Sequence, residues 1–357
     1  MKDKAASSIY GINGGVRMAI TKLSSNENPF GPSPKAVDAA KFASSSANRY
    51  TERTDSKLCE ALASFHGRDL TGAQFFSANG GVEVLSLVED ALIQPNQRAI
   101  ICPPCFAEYS KSLSSRGCEI DEVPLIEPGF RLDTDSILRM VSENARLLYL
   151  CNQNNPTSTW FGTDVLNEVL NKIPDHVTVI YDEVYYQFAT EDGLPDAIRH
   201  VLDDRSIVIV HSFSKAYGLA GMRIGYGIAP ERIARKAQKR KRNFHLNTAG
   251  MKAAMAALRD IVHLQRTVDN NHIERRRLAA ELKALNLEVI PSQANFLMMR
   301  CPEGYNAEEL TALLGAHGVM VRPAFDLPRC IRITVGKPSN NTRLLTLLAT
   351  IQEGGRL

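Results

Sequence analysis

Between about Ala73 and Pro230, short apolar runs rich in valine and isoleucine alternate with amphipathic stretches. The runs are Arg98–Cys102, Cys118–Leu125, Arg146–Cys151, Val177–Tyr181, Ser206–His211 and Met222–Ile228. Their length suits strands, and their unbroken apolar character suits strands covered on both faces. Of the stretches between them, Val82–Ile93 sets Val84, Leu85, Val88, Leu92 and Ile93 on one helical face. Continuous apolar strands alternating with helices predict an α/β fold with a largely parallel sheet covered on both sides. Such sheets carry their chemistry on loops at the carboxyl ends of the strands.

The rest of the chain has a different pattern. Ile261–Leu287 is a long, charged, amphipathic helical stretch. Leu287–Ile290, Asn295–Met299, Val319–Val321 and Cys330–Val335 have strand patterns, with a helical one at Ala307–His317. This mixture predicts a second, smaller αβ domain with its own sheet. Pro29, Pro32 and Pro34 keep the first part of the chain mostly extended. The expected division is a segment at 1–44 packing on the small domain, a large domain at 45–249 and a small one at 250–357, with a hinge near Asn247–Gly250.

Composition narrows the classes. At 357 residues, 44% hydrophobic and 23% charged, the chain suits a soluble two-domain protein and not a disordered one. A net charge of +3 gives no general reason to expect nucleic acid or an anionic membrane as partner. No run approaches the ~18 apolar residues of a membrane span, and Met1–Ser8 lacks the apolar core of a signal peptide. Seven scattered cysteines do not form a disulfide framework, so the expected location is the cytoplasm.

Candidate chemistry clusters at strand ends. Ser212-Phe213-Ser214-Lys215 follows one strand and leads to Arg223. Burial and nearby cations there would lower the lysine's pKa toward that of a nucleophilic amine. The two serines and Arg223 could hold an anion beside it, as an aldehyde cofactor bearing a phosphate would require. Asp182 ends another strand, where a carboxylate needs a positive partner such as a protonated pyridine nitrogen. Tyr185 follows three residues later, and Asn152-Gln153-Asn154-Asn155-Pro156-Thr157 ends a third strand. Asn79-Gly80-Gly81-Val82 opens a helix whose N–H groups could bind phosphate. Taken singly, each has a plainer reading as a turn, a cap or a packed residue.

Together these segments resemble the fold-type I pyridoxal-phosphate aminotransferases, and most closely their histidinol-phosphate branch. The resemblance spans nearly the whole chain, from Leu23–Pro34 and Asn48-Arg49-Tyr50, through the segments above, to Ile290–Phe296, Val321-Arg322-Pro323 and Ile331–Gly336. It implies a mostly parallel seven-stranded sheet and pyridoxal 5′-phosphate as cofactor. It also implies an amino-acid and a 2-oxo-acid substrate, and a homodimer with shared sites. Lys215 would condense with the cofactor's aldehyde and move the substrate proton, and Asp182 would keep the pyridine nitrogen protonated. Tyr185 and Asn155 would bond the ring oxygen, and Phe106 would stack on the ring. The amides of Gly81 and Val82, with Ser212, Ser214 and Arg223, would hold the phosphate, joined by Tyr50 from the neighbouring subunit. Arg332 would clamp the substrate carboxylate. Arg322 is the candidate for the substrate's own phosphate, with Tyr10 closing over the site.

The chain departs from the family pattern in several places. Ser158 stands where a glycine is usual, Val82 replaces an acidic residue, and Thr51 follows Arg49-Tyr50 in place of proline. Asn243–Asn247 replaces a proline–phenylalanine–asparagine stretch. None removes a catalytic group, but they leave other substrates open. Phe106–Tyr109 and Gly117–Ile120 look like threonine-phosphate decarboxylases, and aromatic or specialised aminotransferases also remain. A non-catalytic cofactor-sensing regulator would need a DNA-binding domain ahead of motifs that already start at Leu23. The basic run from Arg232 to Arg242 is expected to be a solvated face, Cys102 and Cys105 to play no metal or redox part, and His211 to be packed in the core.

Overall fold

The computed structural model describes residues 10–13 and 16–354, with side chains from Ile20 onward. Seven strands form the main sheet: β1 (Phe75–Ala78), β2 (Arg98–Ile101), β3 (Glu119–Glu122), β4 (Ala145–Cys151), β5 (Thr178–Asp182), β6 (Ile207–Ser212) and β7 (Gly225–Ile228). Their order across the sheet is β1-β7-β6-β5-β4-β2-β3. β7 runs antiparallel to both its neighbours, while β6-β5-β4-β2-β3 pair in parallel. The seven-stranded, mostly parallel sheet expected from the sequence is therefore present.

The strands are apolar on both faces because both faces are covered. Val179, Tyr181, Ile207 and Ile209 join the core on one side. Ile180, Val208 and Val210 join the core on the other. Each such fully buried side chain contributes roughly 1.5–3 kcal/mol, which fixes the strands and hence the residues at their carboxyl ends. By the same alternation, Asp182 and Ser212 open onto one face, and Glu183 and His211 lie on the opposite side.

A smaller antiparallel sheet runs in the order Val289–Ile290, Phe296–Arg300, Leu327–Thr334, Arg322–Ala324. One of its faces packs Leu297, Ile331 and Ile333 against Leu310 and Leu344 of its helices. Its other face contributes Ile290, Met298 and Cys330 to the core of the large body. Near the start of the chain, Thr21–Lys22 pairs in parallel with Val319–Met320, and Leu23 enters the small core. In the helix Pro34–Ser44, Ala36 and Ala40 enter the large core together with Ala253, Ala254 and Ala257 of the helix Thr248–Leu258. The long helix Ile261–Ala284 follows.

The basic run is less uniform than its sequence suggests. Arg232 bonds Asp204 at 3.2 Å, Arg235 pairs with Glu231, and Lys241 bonds the buried Asp55 at 2.6 Å. Lys241 is thus a buried partner and not part of a solvated face. The seven cysteines are free, and burial pushes the Cys105 thiol up to about 12. Among the described residues no cluster of histidine, cysteine, aspartate and glutamate could hold a metal ion. None of their helices is long and apolar enough to cross a membrane.

Candidate active site

The carboxyl ends of β4, β5 and β6 and the start of the helix Gly81–Leu92 surround a cavity of about 840 Å³, counted out to its open mouth. Lys215, Asp182, Tyr185, Asn155, Phe106, Gly81, Val82, Ser212, Ser214, Arg223, Arg322 and Arg332 all line it. Residues separated by up to 251 positions in the chain are thus brought to one space by the sheet and the small body closing over it. Tyr50 is elsewhere: its ring is 89% exposed and lies 5.3 Å from that of Phe244. Tyr10 opens a short strand, Tyr10–Asn13, but its side chain lies outside the described residues.

Lys215 follows β6, and its Nζ donates to the carbonyl oxygen of Ser25 at 3.3 Å. Burial, reinforced by nearby Arg332, lowers its pKa to about 8 against the opposing pull of Glu27 and Asp182. The free amine is then roughly a tenth of the population at neutral pH, a useful fraction for a nucleophile or base. Asp182 is 6% exposed. Burial raises its carboxyl to about 6, although the Tyr109 hydroxyl donates to Oδ2 at 2.6 Å and the Val184 N–H to Oδ1 at 3.3 Å. Among the described residues no cation lies within ion-pair distance of it.

Arg332 comes from the small sheet. Its Nη1 donates to Asn155 Oδ1 at 2.6 Å and its Nη2 to the Ser24 carbonyl at 2.9 Å, while its buried Nε–H has no partner. Arg322 stands directly opposite it on the paired strand. The Phe325 ring lies 5.4 Å from the Arg322 guanidinium and 5.7 Å from that of Arg332. Two like charges set opposite each other across a strand pair are unfavourable without an anion.

The turn before the helix Gly81–Leu92 requires glycine. Gly80 has φ +89°, and a Cβ there would fall 2.4 Å from Arg223 Nη2. The guanidinium therefore lies against the bare backbone beside the helix N-terminus, where unpaired N–H groups attract anions. Ser212 Oγ, accepting from the Ser214 N–H at 3.1 Å, faces the same end of the cavity.

Some residues of the site were not singled out by the sequence patterns, although Asn26 and Tyr109 lie within segments named above. Tyr109 is seen only through its bond to Asp182. Asn26 donates from Nδ2 to the Tyr185 hydroxyl at 3.1 Å, and its backbone N–H donates to Thr334 Oγ1 at 2.8 Å. Phe325, Leu85 and Val184 supply apolar wall.

Residues 19–348 match the family model described as Aminotransferase class I and II. The chain belongs to this family. As an aminotransferase it has relatives named histidinol-phosphate aminotransferase. That of Akkermansia muciniphila is 36% identical, with 93% of this chain and 90% of that protein aligned. A second, from Nitrosococcus oceani, is also 36% identical, over 96% of this chain and 90% of the other. Among solved structures, histidinol-phosphate aminotransferase from Sinorhizobium meliloti in complex with pyridoxal-5′-phosphate superposes with a TM-score of 0.86 at 26% identity, covering 94% of this aminotransferase and 92% of that chain. Aspartate aminotransferase of Thermus thermophilus shares the fold, with a TM-score of 0.81 at 22% identity over 93% and 91% of the two chains.

Proposed function

We propose that this aminotransferase uses pyridoxal 5′-phosphate to transfer an amino group between histidinol phosphate and 2-oxoglutarate, in the biosynthesis of histidine. The observation that carries the substrate is the pair Arg322 and Arg332, set opposite each other in the lining of a cavity that holds a lysine of lowered pKa. Two guanidiniums suit the phosphate of histidinol phosphate and, in the other half-reaction, the two carboxylates of 2-oxoglutarate. Relatives that share about a third of the sequence over nearly the full length bear the corresponding name.

The cavity fits the cofactor. Its buried Asp182 lacks a cation, its Arg332 Nε–H lacks an acceptor, and the Gly80 turn leaves room only for backbone beside Arg223. When bound, the cofactor supplies an electron-withdrawing ring that absorbs the charge left as the substrate's Cα–H bond breaks. The chain's residues do the rest. Lys215 Nζ would hold the cofactor and, as a free amine, would take and return the proton at the substrate Cα. Asp182, held by Tyr109, would keep the ring nitrogen protonated. Tyr185 and Asn155 would bond the ring oxygen, and Phe106 would pack on the ring. The N–H groups of Gly81 and Val82, with Ser212, Ser214 and Arg223, would receive the cofactor phosphate.

Arg332 retains three of its five N–H donors for a carboxylate after bonding Asn155 and Ser24. Arg322 receives the phosphate of the substrate, with Tyr10 closing over it. The acting unit is a homodimer in which Tyr50 reaches the neighbour's cofactor phosphate. The exposed rings of Tyr50 and Phe244 support burial against a second copy. Seven free cysteines support a reducing, cytoplasmic setting.

The test is a single-turnover spectrum of cofactor-loaded protein, mixed separately with histidinol phosphate, threonine phosphate and phenylalanine, with products identified by mass. Loss of the yellow band with histidinol phosphate, giving pyridoxamine phosphate and the matching keto compound, supports the reading. Carbon dioxide from threonine phosphate would instead make the protein a decarboxylase. Reaction with none of the three would discard the substrate.

A further inference from the structure

On the side of the main sheet away from the cavity, four polar side chains make an unbroken chain of bonds. Glu183 Oε1 lies 2.7 Å from His211 Nε2, His211 Nδ1 lies 2.9 Å from the Tyr226 hydroxyl, and that hydroxyl lies 2.9 Å from His66 Nε2. Glu183 directly follows Asp182, and His211 directly precedes Ser212. We propose that Glu183 and His211 are positioning residues for the cofactor, a brace that fixes the end of β5 bearing Asp182 against the end of β6 bearing Ser212. This rests on the cofactor reading given above.

Three observations support the brace. The backbone ladder is nearly exhausted at this point, since Asp182 is the last residue of β5 to pair, opposite Val210. Beyond it only the Glu183 N–H bond to the Val210 carbonyl, at 3.2 Å, continues. The Glu183–His211 bond therefore extends the β5–β6 connection past the end of the strand. Tyr226, across from His211 on β7, carries it to a third strand. The imidazole is also held in plane, because the Tyr186 ring stacks on it at 4.2 Å.

The protons in the chain are determined by its surroundings. Tyr186, Tyr226 and His66 pack around the His211–Glu183 pair, and Asp196 adds negative charge near Glu183. Asp196 is itself paired with Arg68. Burial lowers His211 to about 3 and holds the Glu183 carboxyl well above its ordinary range. Burial thus disfavours charge on both His211 and Glu183, and each polar group of the chain finds its partner within it. Negative charge on Glu183 raises the carboxyl of its neighbour Asp182.

The experiment measures two quantities on folded, full-length variants: the dissociation constant for pyridoxal 5′-phosphate and the visible circular dichroism of the bound cofactor. The second reports cofactor orientation, which a merely structural loss would leave alone. Glu183→Gln keeps a polar partner for Nε2 and should match the wild type within about twofold in affinity, with the same visible band. Glu183→Met leaves a buried imidazole nitrogen without its partner, and should weaken cofactor binding about tenfold and change the visible band at unchanged far-ultraviolet signal. If Glu183→Met does not fold, His211→Phe takes its place with the same expectation. Wild-type affinity and band in the methionine or phenylalanine variant would overturn the brace. So would equal losses in the glutamine and methionine variants. Failure of the wild-type protein to bind the cofactor would instead count against the proposed function.

Discussion

Replacing Tyr109 with phenylalanine removes one oxygen and leaves the ring that packs between Phe106 and Tyr149. That oxygen donates to Asp182 at 2.6 Å, and hydrogen bonds to charged groups contribute about 1.5–3 kcal/mol. At about 1.4 kcal/mol per pH unit, the carboxyl should rise by about one to two units. Asp182 already stands at about 6, because burial outweighs the two bonds it receives. Pairing with a protonated ring nitrogen needs the carboxylate, so cofactor association should hold above the carboxyl's pKa and weaken as pH falls through it. In the wild type this loss is centred near pH 6. In Tyr109→Phe it should move upward, into the range of about 7–8. The assay is the dissociation constant for pyridoxal 5′-phosphate on the cofactor-free protein, by fluorescence, from pH 5 to 9. A midpoint that stays at 6 or moves down would refute the assignment of Tyr109 to Asp182 and the need for its charge.

Lys215→Ala should abolish turnover while the cofactor still binds non-covalently, as read by absorbance after gel filtration. Arg322→Ala should raise the KM for phosphorylated substrates at least tenfold and leave plain amino acids nearly unchanged; equal losses would remove its phosphate role. Gly80→Ala places a Cβ against Arg223 at a left-handed backbone position. It should weaken cofactor binding about tenfold or more, measured by equilibrium dialysis. Burial alone would raise the Asp55 carboxyl, but Lys241 and Ser77 bring it down to about 2. The stability this pair contributes is therefore present above the unfolded value near 4 and is lost as pH falls through about 2. Lys241→Met, which leaves the carboxylate buried and unpaired, should cost about 3–5 kcal/mol in urea unfolding at pH 7; a loss under about 1 kcal/mol would show that the pair is not buried in solution.

The main sheet could be read from the sequence because strands covered on both faces leave uninterrupted apolar runs, and a parallel sheet places the ends of those runs together. Lys215, Asp182 and Asn155 each sit just past such a run, so the sequence carried their place at the cavity. Asn26 and Tyr109 lie past no such run, and their bonds to Tyr185 and Asp182 span 159 and 73 residues. The packing of the helix beside the expected boundary was not legible for a related reason. The helix Thr248–Leu258 is rich in alanine, a composition that fits either body, and only its contact with Pro34–Ser44 assigns it to the large core. His211 was correctly expected to be packed, but a pattern of apolar positions has no means of showing which polar groups it meets inside.

The segment from Ser24 to Asn28 threads between the two bodies. It gives carbonyls to Arg332 and Lys215, an amide to Tyr185, and a further amide to the Ala216 carbonyl. Once Asn26 has left the ribosome, its backbone N–H waits for Thr334, 308 residues later. At about 5–20 residues per second, that interval is roughly 15 to 60 s. The large sheet can close during that time, but the catalytic chamber cannot. A nascent chain stalled between Lys215 and Arg332 would carry Lys215 and Asp182 in a half-walled space, unable to grip a substrate. Competence in this protein comes only when the strand Leu327–Thr334 of the small sheet meets a segment made some 308 residues before it.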